Sequence, residues 1–432
     1  MSKFIIEGGH RLEGTIKASG NKNAALALLP ATLLTSEPVT LHNLPDIRDV
    51  RATLAILEDL GVEVTPLGGG SWHLHAHTLP GTALDRELAS RIRASFLFSG
   101  PMLARKGEIT LPLPGGDVIG GRPLDTHVQG LKALGAEVAL DEQQVLFHMR
   151  AQALRPAGYL LQAEASVTGT ENTLMAAVLA PGKTVIDNAA SEPHVRDLCN
   201  FLNRLGARIE GTGTNRLTIH GVERLGGGEF TIGADFMEVG SFIGAAAVTG
   251  GAVRIRNASP HDMQMVRQVY ERLGVIWEEE GDDIIVPAEQ PLEIASTLGG
   301  RILEIKPLPW PGFPPDLMSI AVVIATQSQG SVLLHDWMYE SRFFFVDKLK
   351  FMGARTVLCD PHRVLVQGRS DLYANPHGVT SPDIRAGMAM VLAALCARGT
   401  STIHNIQQID RGYEQIERKL QQLGARIERA EE

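Results

Sequence analysis

Two arginines stand at equivalent places in a repeated pattern, and their setting suits an anion. Arg122 and Arg411 each lie 13 residues before the glycine of a Leu-Gly-Ala triplet, Gly135 and Gly424. That offset predicts a position near the N-terminus of an amphipathic helix, where the partial positive charge of the helix end disfavours a cation. An anion held between guanidinium and helix end would remove the conflict, and a surface salt bridge is the plainer alternative. Arg48 has the same offset from Gly61, but Asp46 and Asp49 beside it offer local pairing. A second class of helix, rich in small residues, opens with Lys22-Asn23, Arg91 and Arg93, Thr170-Glu171-Asn172, Asp316, and Asp383 with Arg385. If these starts converge, they line a cationic cleft suited to a phosphorylated substrate. Two carboxylates near them could move protons. Asp316 follows Pro314-Pro315 and equally has the place of an ordinary helix N-cap. Asp117, inside Gly115-Gly116-Asp117-Val118-Ile119-Gly120-Gly121, reads as a turn residue or as part of a mobile lid.

The elements that position these groups follow from a six-fold repeat. A helix end, then glycine, then a small or branched residue recurs at Gly61, Gly135, Gly206, Gly274, Gly353 and Gly424, at spacings of 68 to 79 residues. Each glycine suits the left-handed position that closes a helix. Val50, Leu54, Leu57 and Leu60 place one apolar face on the helix before the first of them. Upstream of each such helix comes a short strand with a polar end, as in Thr40 to Asn43, Thr184 to Asn188, Val253 to Asn257, Val332 to Asp336 and Thr402 to Asn405; Thr110 to Leu113 is the least regular copy. Before each strand lies a helix rich in alanine and leucine, such as 23–34, 90–105 or 384–397. Three repeats per globe make two domains, and Gly226-Gly227-Gly228 marks a place for the chain to change domain or a simple hairpin loop.

Composition excludes several classes. The 432 residues carry a net charge of −9, which argues against nucleic-acid binding and anionic membrane surfaces. Cys199, Cys359 and Cys396 form neither a disulfide framework nor a zinc motif. No run approaches the length of a membrane span, so a cytoplasmic protein is expected, with monomer as the default state. Gly182-Lys183-Thr184 ends like a P-loop but lacks its first glycine and leads into a strand. His73, His75 and His77 share one strand face at roughly 7 Å spacing; an exposed face is the plain reading and a metal site the sharper one. The four tryptophans are too dispersed for a stacking platform.

Four stretches carry a resemblance: Ser19-Gly20-Asn21-Lys22-Asn23-Ala24-Ala25-Leu26, Gly120-Gly121-Arg122-Pro123-Leu124-Asp125, Pro311-Gly312-Phe313-Pro314-Pro315-Asp316, and Ile409-Asp410-Arg411-Gly412-Tyr413. Over nearly its whole length the chain resembles the enolpyruvyl transferases, in particular those that act on UDP-N-acetylglucosamine. The resemblance implies an α/β fold of two inside-out α/β barrel domains, each of three βαβαββ repeats. Residues 22–231 would form one globe, with a mobile loop at 111–121, and 1–21 with 232–432 the other, closing on substrate. It implies addition of the sugar 3-hydroxyl to phosphoenolpyruvate and loss of phosphate, the first committed step toward peptidoglycan, with no metal or organic cofactor. Asp316 would be the base and Asp117 the acid, with Lys22 and Arg411 also catalytic. Lys22, Asn23, Arg122, Arg342, Arg385 and Arg411 would bind phosphoenolpyruvate. Asn23, Arg93, Arg122, Pro123, Leu124, Asp125, Thr126, Ser166, Val167, Thr168, Asp316 and Met338 would bind the nucleotide sugar. A divergent paralogue with another acceptor alcohol and a non-catalytic nucleotide-sugar sensor are the alternatives; keeping Lys22, Asp117, Asp316 and Arg411 together favours an enzyme.

The chain departs from the family pattern at several positions. Asp117 stands where most members carry the cysteine that fosfomycin alkylates, so insensitivity to that antibiotic is expected. Asn21 replaces a usual alanine, Thr168-Gly169 a Gly-Ala pair, and Phe236 an arginine. Residues 317–320 lack the glutamines often found after Asp316.

Overall fold

The period seen in the sequence is written into the backbone. Gly61, Gly135, Gly206, Gly274, Gly353 and Gly424 have φ between 80° and 105°, a region closed to most side chains but open to glycine. The strand ends carry a second left-handed position: Asn43, Asn188, Asn257 and Asn405 have φ of 52–61°, which asparagine tolerates. In the fifth repeat that place is taken by Asp336. The computed structural model describes residues 2–116, 121 and 123–431, and every count below refers to these. The chain divides into two units, one built on residues 20–116 and 123–233, the other on 2–19 and 234–431.

In the first unit the helices Lys22–Ala31 and Val167–Ala177 are almost wholly buried, and Ser99–Lys106 is buried over its first five residues. A helix apolar on all sides belongs in a core, and here sheets cover these helices on the outside. One sheet runs Gly228–Thr231, Val39–His42, Ser71–His75, Glu63–Gly68. The first pair is parallel and the rest antiparallel, with Val39 opposite Leu74. The others are Glu108–Pro112, Leu146–Arg150, Glu137–Asp141, and Arg208–Glu210, Arg216–Gly221, Gly182–Asp187, Leu160–Leu161. The second unit repeats the plan around Phe236–Thr249, Met318–Gln327 and Ile384–Cys396. Gly240 and Gly244 let these helices meet closely. A Cβ on Gly240 would stand 2.8 Å from Leu317, and one on Gly244 2.8 Å from Ile320. The architecture is the expected α/β one, with helices inside and sheets outside. Among the described residues no helix is long and apolar enough to cross a membrane.

Three local expectations are corrected. The helix expected over 90–105 is broken into Arg86–Ser90, a 3₁₀ segment Arg93–Phe98 and Ser99–Lys106. Pro101 lacks an N–H and is readily accommodated in a first turn, which is where it lies in the helix that begins at Ser99. The Gly226–Gly228 run is neither hairpin nor crossing: it leads into the strand Gly228–Thr231, and the unit changes after Gly233. The strand face of His73 and His75 is half-buried, with His73 beside Thr40 and His75 beside Ser36 and Glu63.

The unusual Asn21 has a structural use. Its side chain accepts the Ala24 N–H at 2.9 Å and caps Lys22–Ala31. Asn21→Ala therefore removes about 1 kcal/mol of stability, read as a lower urea midpoint with an unchanged slope. Phe236, the other departure at a helix start, packs its ring on Trp310 at 5.6 Å.

Candidate active site

In the second unit Asp316 lies between two arginines. Its Oδ1 accepts from Arg342 Nη2 and its Oδ2 from Arg385 Nε, each at 3.0 Å. The N-cap reading of Asp316 is thereby overturned: it sits inside the 3₁₀ turn Pro315–Leu317, with no side-chain capping bond. Pro315 has no N–H to be capped, and the carboxylate turns to the guanidinium groups instead. The capping falls to other carboxylates. Asp383 accepts the Arg385 and Ala386 N–H groups, and Asp235 those of Met237 and Glu238. Asp316 stays 29% exposed while both arginines are buried. A carboxylate offers about four lone-pair sites, and Asp316 turns one oxygen to each arginine.

Electrostatics keep the arginines charged. Burial works against the Arg385 cation, but Tyr413, Asp316 and Asp235 hold its pKa above the ordinary arginine value. Burial likewise opposes the Arg342 charge, and Asp316, Asp383, Asp336 and Tyr339 raise it. Arg385 lies over the Tyr413 ring at 5.4 Å, and the Tyr413 hydroxyl meets Ser241 Oγ at 2.9 Å. Arg385 Nη1 and Arg342 Nε are buried without a hydrogen-bond partner among the described residues. Arg342 Nε faces the Asp336 carboxylate at 3.6 Å, whereas Arg385 Nη1, a charged N–H donor left open, suits an anionic ligand.

Arg411 is placed differently from expectation. It ends a 3₁₀ turn, Ile409–Arg411, and the following helix starts only at Ile416. Four residues lie between Arg411 and that helix start, so it is not part of the first turn, where the dipole effect is confined. Arg411 Nη1 donates instead to Gln408 Oε1 at 3.1 Å.

In the first unit Lys22 opens its helix and bonds Asp49 through Nζ at 2.8 Å, with both side chains under 10% exposed. The local pairing expected for Arg48 is not what forms: Asp46 pairs with Arg51 at 2.5 Å and Asp49 with Lys22. Residues 48–59 form the helix Arg48–Asp59, whose turn carries Asp49 inward and Arg48 to the exposed side. Asn23 is half-buried one residue into the core helix. Asp117 and Arg122 lie outside the described residues, as do Val118, Ile119 and Gly120.

Several of the residues expected to hold the nucleotide sugar, among them Arg93, Pro123, Thr126 and Ser166, have close partners within this unit. Arg93 Nη2 donates to the Pro123 carbonyl at 3.3 Å, and Thr126 Oγ1 to Glu164 at 3.2 Å. Ser166 caps Val167–Ala177 by accepting the Gly169 N–H. A Cβ on Gly169 would come within 2.8 Å of Thr126, which explains glycine after Thr168. Leu124, Asp125 and Thr126 line an open depression of about 720 Å³ together with Leu113 and Phe147. Met338 belongs to the other unit, where its N–H donates to Asp336 at 3.0 Å.

Sequence reasoning passed over Asp49, Asp336 and His127. Asp336 could have been found as the one aspartate among the strand-end asparagines. His127 is buried against Asn172 and Thr168. Gly100 donates to Asn172 Oδ1 at 2.6 Å, which fixes the amide so that Nδ2 faces His127 Nδ1 at 3.0 Å. Nδ1 therefore accepts, and Nε2 carries the hydrogen donated to Thr168 Oγ1 at 2.9 Å. The Thr168 hydroxyl hydrogen is left to point elsewhere.

Burial, reinforced by the Arg93 charge, lowers the His127 pKa to about 3. An unfolded histidine titrates near 6.5. Between these values the unfolded chain binds a proton that the folded chain refuses, so this contribution to stability is complete above about pH 6.5 and is lost as pH falls toward 3. From pH 7 to pH 5 the loss is about 2 kcal/mol. Comparing urea midpoints of the wild type and His127→Gln at both pH values checks it; an equal drop in the two proteins would refute it.

Comparison with known proteins follows the same lines. The sequence model described as EPSP synthase (3-phosphoshikimate 1-carboxyvinyltransferase) matches residues 6–420. The UDP-N-acetylglucosamine 1-carboxyvinyltransferase of Bradyrhizobium diazoefficiens is 53% identical over 430 residues, covering 100% of this chain and 98% of that protein. The enzyme of the same name from Treponema denticola is 51% identical over 428 residues, covering 99% of each chain. Among solved structures, the enolpyruvyl transferase NikO from Streptomyces tendae superposes with a TM-score of 0.87 at 22% identity over 99% of each chain. EPSP synthase from Acinetobacter baumannii gives 0.76 at 19% identity over 100% of each chain. At these identities the structural likeness concerns the fold.

Proposed function

This chain belongs to the EPSP synthase family and, within it, to the UDP-N-acetylglucosamine 1-carboxyvinyltransferases, and on that premise we propose that it transfers the enolpyruvyl group of phosphoenolpyruvate to the 3-hydroxyl of UDP-N-acetylglucosamine. The observation that carries the reading is the Asp316 carboxylate held by Arg342 and Arg385 in a chain about half identical, end to end, to enzymes of that name. Asp316 takes the proton of the sugar hydroxyl as its oxygen bonds to C2 of phosphoenolpyruvate. Asp117 delivers a proton to C3, which gives a tetrahedral adduct. The bond from C2 to the phosphate oxygen then breaks, C3 gives up a proton, and the enol ether and inorganic phosphate remain. Lys22, Arg122, Arg342, Arg385 and Arg411 hold the phosphate and carboxylate of phosphoenolpyruvate, and their charges stabilise the adduct where water is excluded. Asn23, Arg93, the 123–126 stretch, Ser166 to Thr168 and Met338 hold the nucleotide sugar. The product is the first committed intermediate toward peptidoglycan.

The test is phosphate release from purified protein given both substrates. Release that requires UDP-N-acetylglucosamine is expected. Binding of the sugar without release would replace the enzyme by a sensor, and release only with another alcohol would replace the acceptor.

A further inference from the structure

Asp336 is fully buried, at 0% exposure, and its two carboxylate oxygens serve different groups. Oδ1 accepts the backbone N–H of Met338 at 3.0 Å and of Tyr339 at 3.2 Å. Oδ2 faces Arg342 Nε at 3.6 Å, an ion-pair distance, and has no hydrogen-bond partner among the described residues. The backbone of Asp336 is itself fixed: its N–H donates to the His362 carbonyl at 2.8 Å, and its own carbonyl meets His362 Nδ1 at 2.7 Å. Arg342 thus meets Asp316 through Nη2 and Asp336 through Nε, with the Tyr339 ring 5.0 Å from Cζ. Two carboxylates and a ring set the plane of a rigid fork.

We propose that Asp336 is a positioning residue for both substrates, one oxygen fixing the turn that presents Met338 to the nucleotide sugar and the other fixing the guanidinium that meets phosphoenolpyruvate. This rests on the function proposed above, in which Met338 and Arg342 have those roles. A turn cap alone would need only Oδ1. Burial pushes the carboxyl pKa of Asp336 up, and the neighbouring Arg342 charge pulls it back. A buried carboxyl is unfavourable unless paired, and asparagine, the residue at four of the other strand ends, would spare that burden. The retained charge therefore points to Arg342.

The two oxygens can be separated by mutation. Asp336→Asn keeps an oxygen for the turn and turns an NH₂ toward Nε. It raises the KM for phosphoenolpyruvate about tenfold or more while changing that for UDP-N-acetylglucosamine less than about twofold. Asp336→Ala raises both. Asp336→Glu, which keeps the charge, raises the phosphoenolpyruvate KM less than Asp336→Asn does, and serves if the asparagine variant does not fold. In an Arg342→Ala background Asp336→Asn adds no further loss. If the wild type releases no phosphate, the function proposed above fails. If the wild type is active and Asp336→Asn shifts neither KM, shifts both alike, or adds its full loss to Arg342→Ala, this inference fails.

Discussion

Asparagine in place of Asp316 lowers turnover by about 10²–10⁴-fold, the range of a positioned general base. The substitution is close to isosteric, so what changes is chemistry. The amide oxygen still accepts one arginine bond, but the group cannot take the hydroxyl proton. Its NH₂ also faces Arg342 or Arg385 where an oxygen now lies 3.0 Å away. Because both arginines are buried and charged, the change removes their shared counter-ion, and affinity for phosphoenolpyruvate changes together with kcat. Nucleotide-sugar binding, which the proposed function assigns mainly to residues of the first unit, changes only a few-fold. Rapid-quench single turnover together with equilibrium binding of UDP-N-acetylglucosamine separates these effects. A kcat within about threefold of wild type would assign the base elsewhere.

The second large effect concerns Asp117. Asp117→Asn removes the proton given to C3 and abolishes measurable turnover, again about 10²–10⁴-fold, while binding of the nucleotide sugar stays largely intact. Normal turnover in this variant would mean that another group is the acid. An unperturbed aspartate titrates near 3.9, against about 8.5 for cysteine. In general a phosphate close to a carboxyl raises that value and a cation lowers it. Asp117→Cys supplies the thiol usual in relatives, and its activity persists to higher pH than that of the wild type. The pair also differs toward fosfomycin. The wild type shows no time-dependent inactivation, whereas Asp117→Cys is inactivated and gains the mass of a covalent adduct. An adduct at residue 117 of the wild type would refute this.

Much of the fold is legible along the chain because it is set by local rules repeated six times. The helix-closing glycines and strand-end asparagines have left-handed backbones that few other residues accept. The small-residue helices are apolar all round and so belong inside. Local reading fails where a side chain chooses between near and distant partners. Asp46 and Asp49 look like partners for Arg48, yet Asp49 turns inward to Lys22. Asp316 looks like a cap, yet its neighbours are Arg342 and Arg385, 26 and 69 residues away. Arg411 looks like a cation at a helix end, yet that helix begins at Ile416.

The sequence by itself determined the repeat, the inside-out α/β plan, the family and the residue types of the chemistry. These depend on backbone preference, on apolar period and on motifs read within a few residues, which are properties of neighbours in the chain. Only the tertiary structure decided which carboxylate meets which cation: Asp49 with Lys22, Asp316 with Arg342 and Arg385, Asp336 with Met338 and Arg342. Charge pairing acts over a few ångströms, and those distances exist only once helices remote in sequence pack against one another.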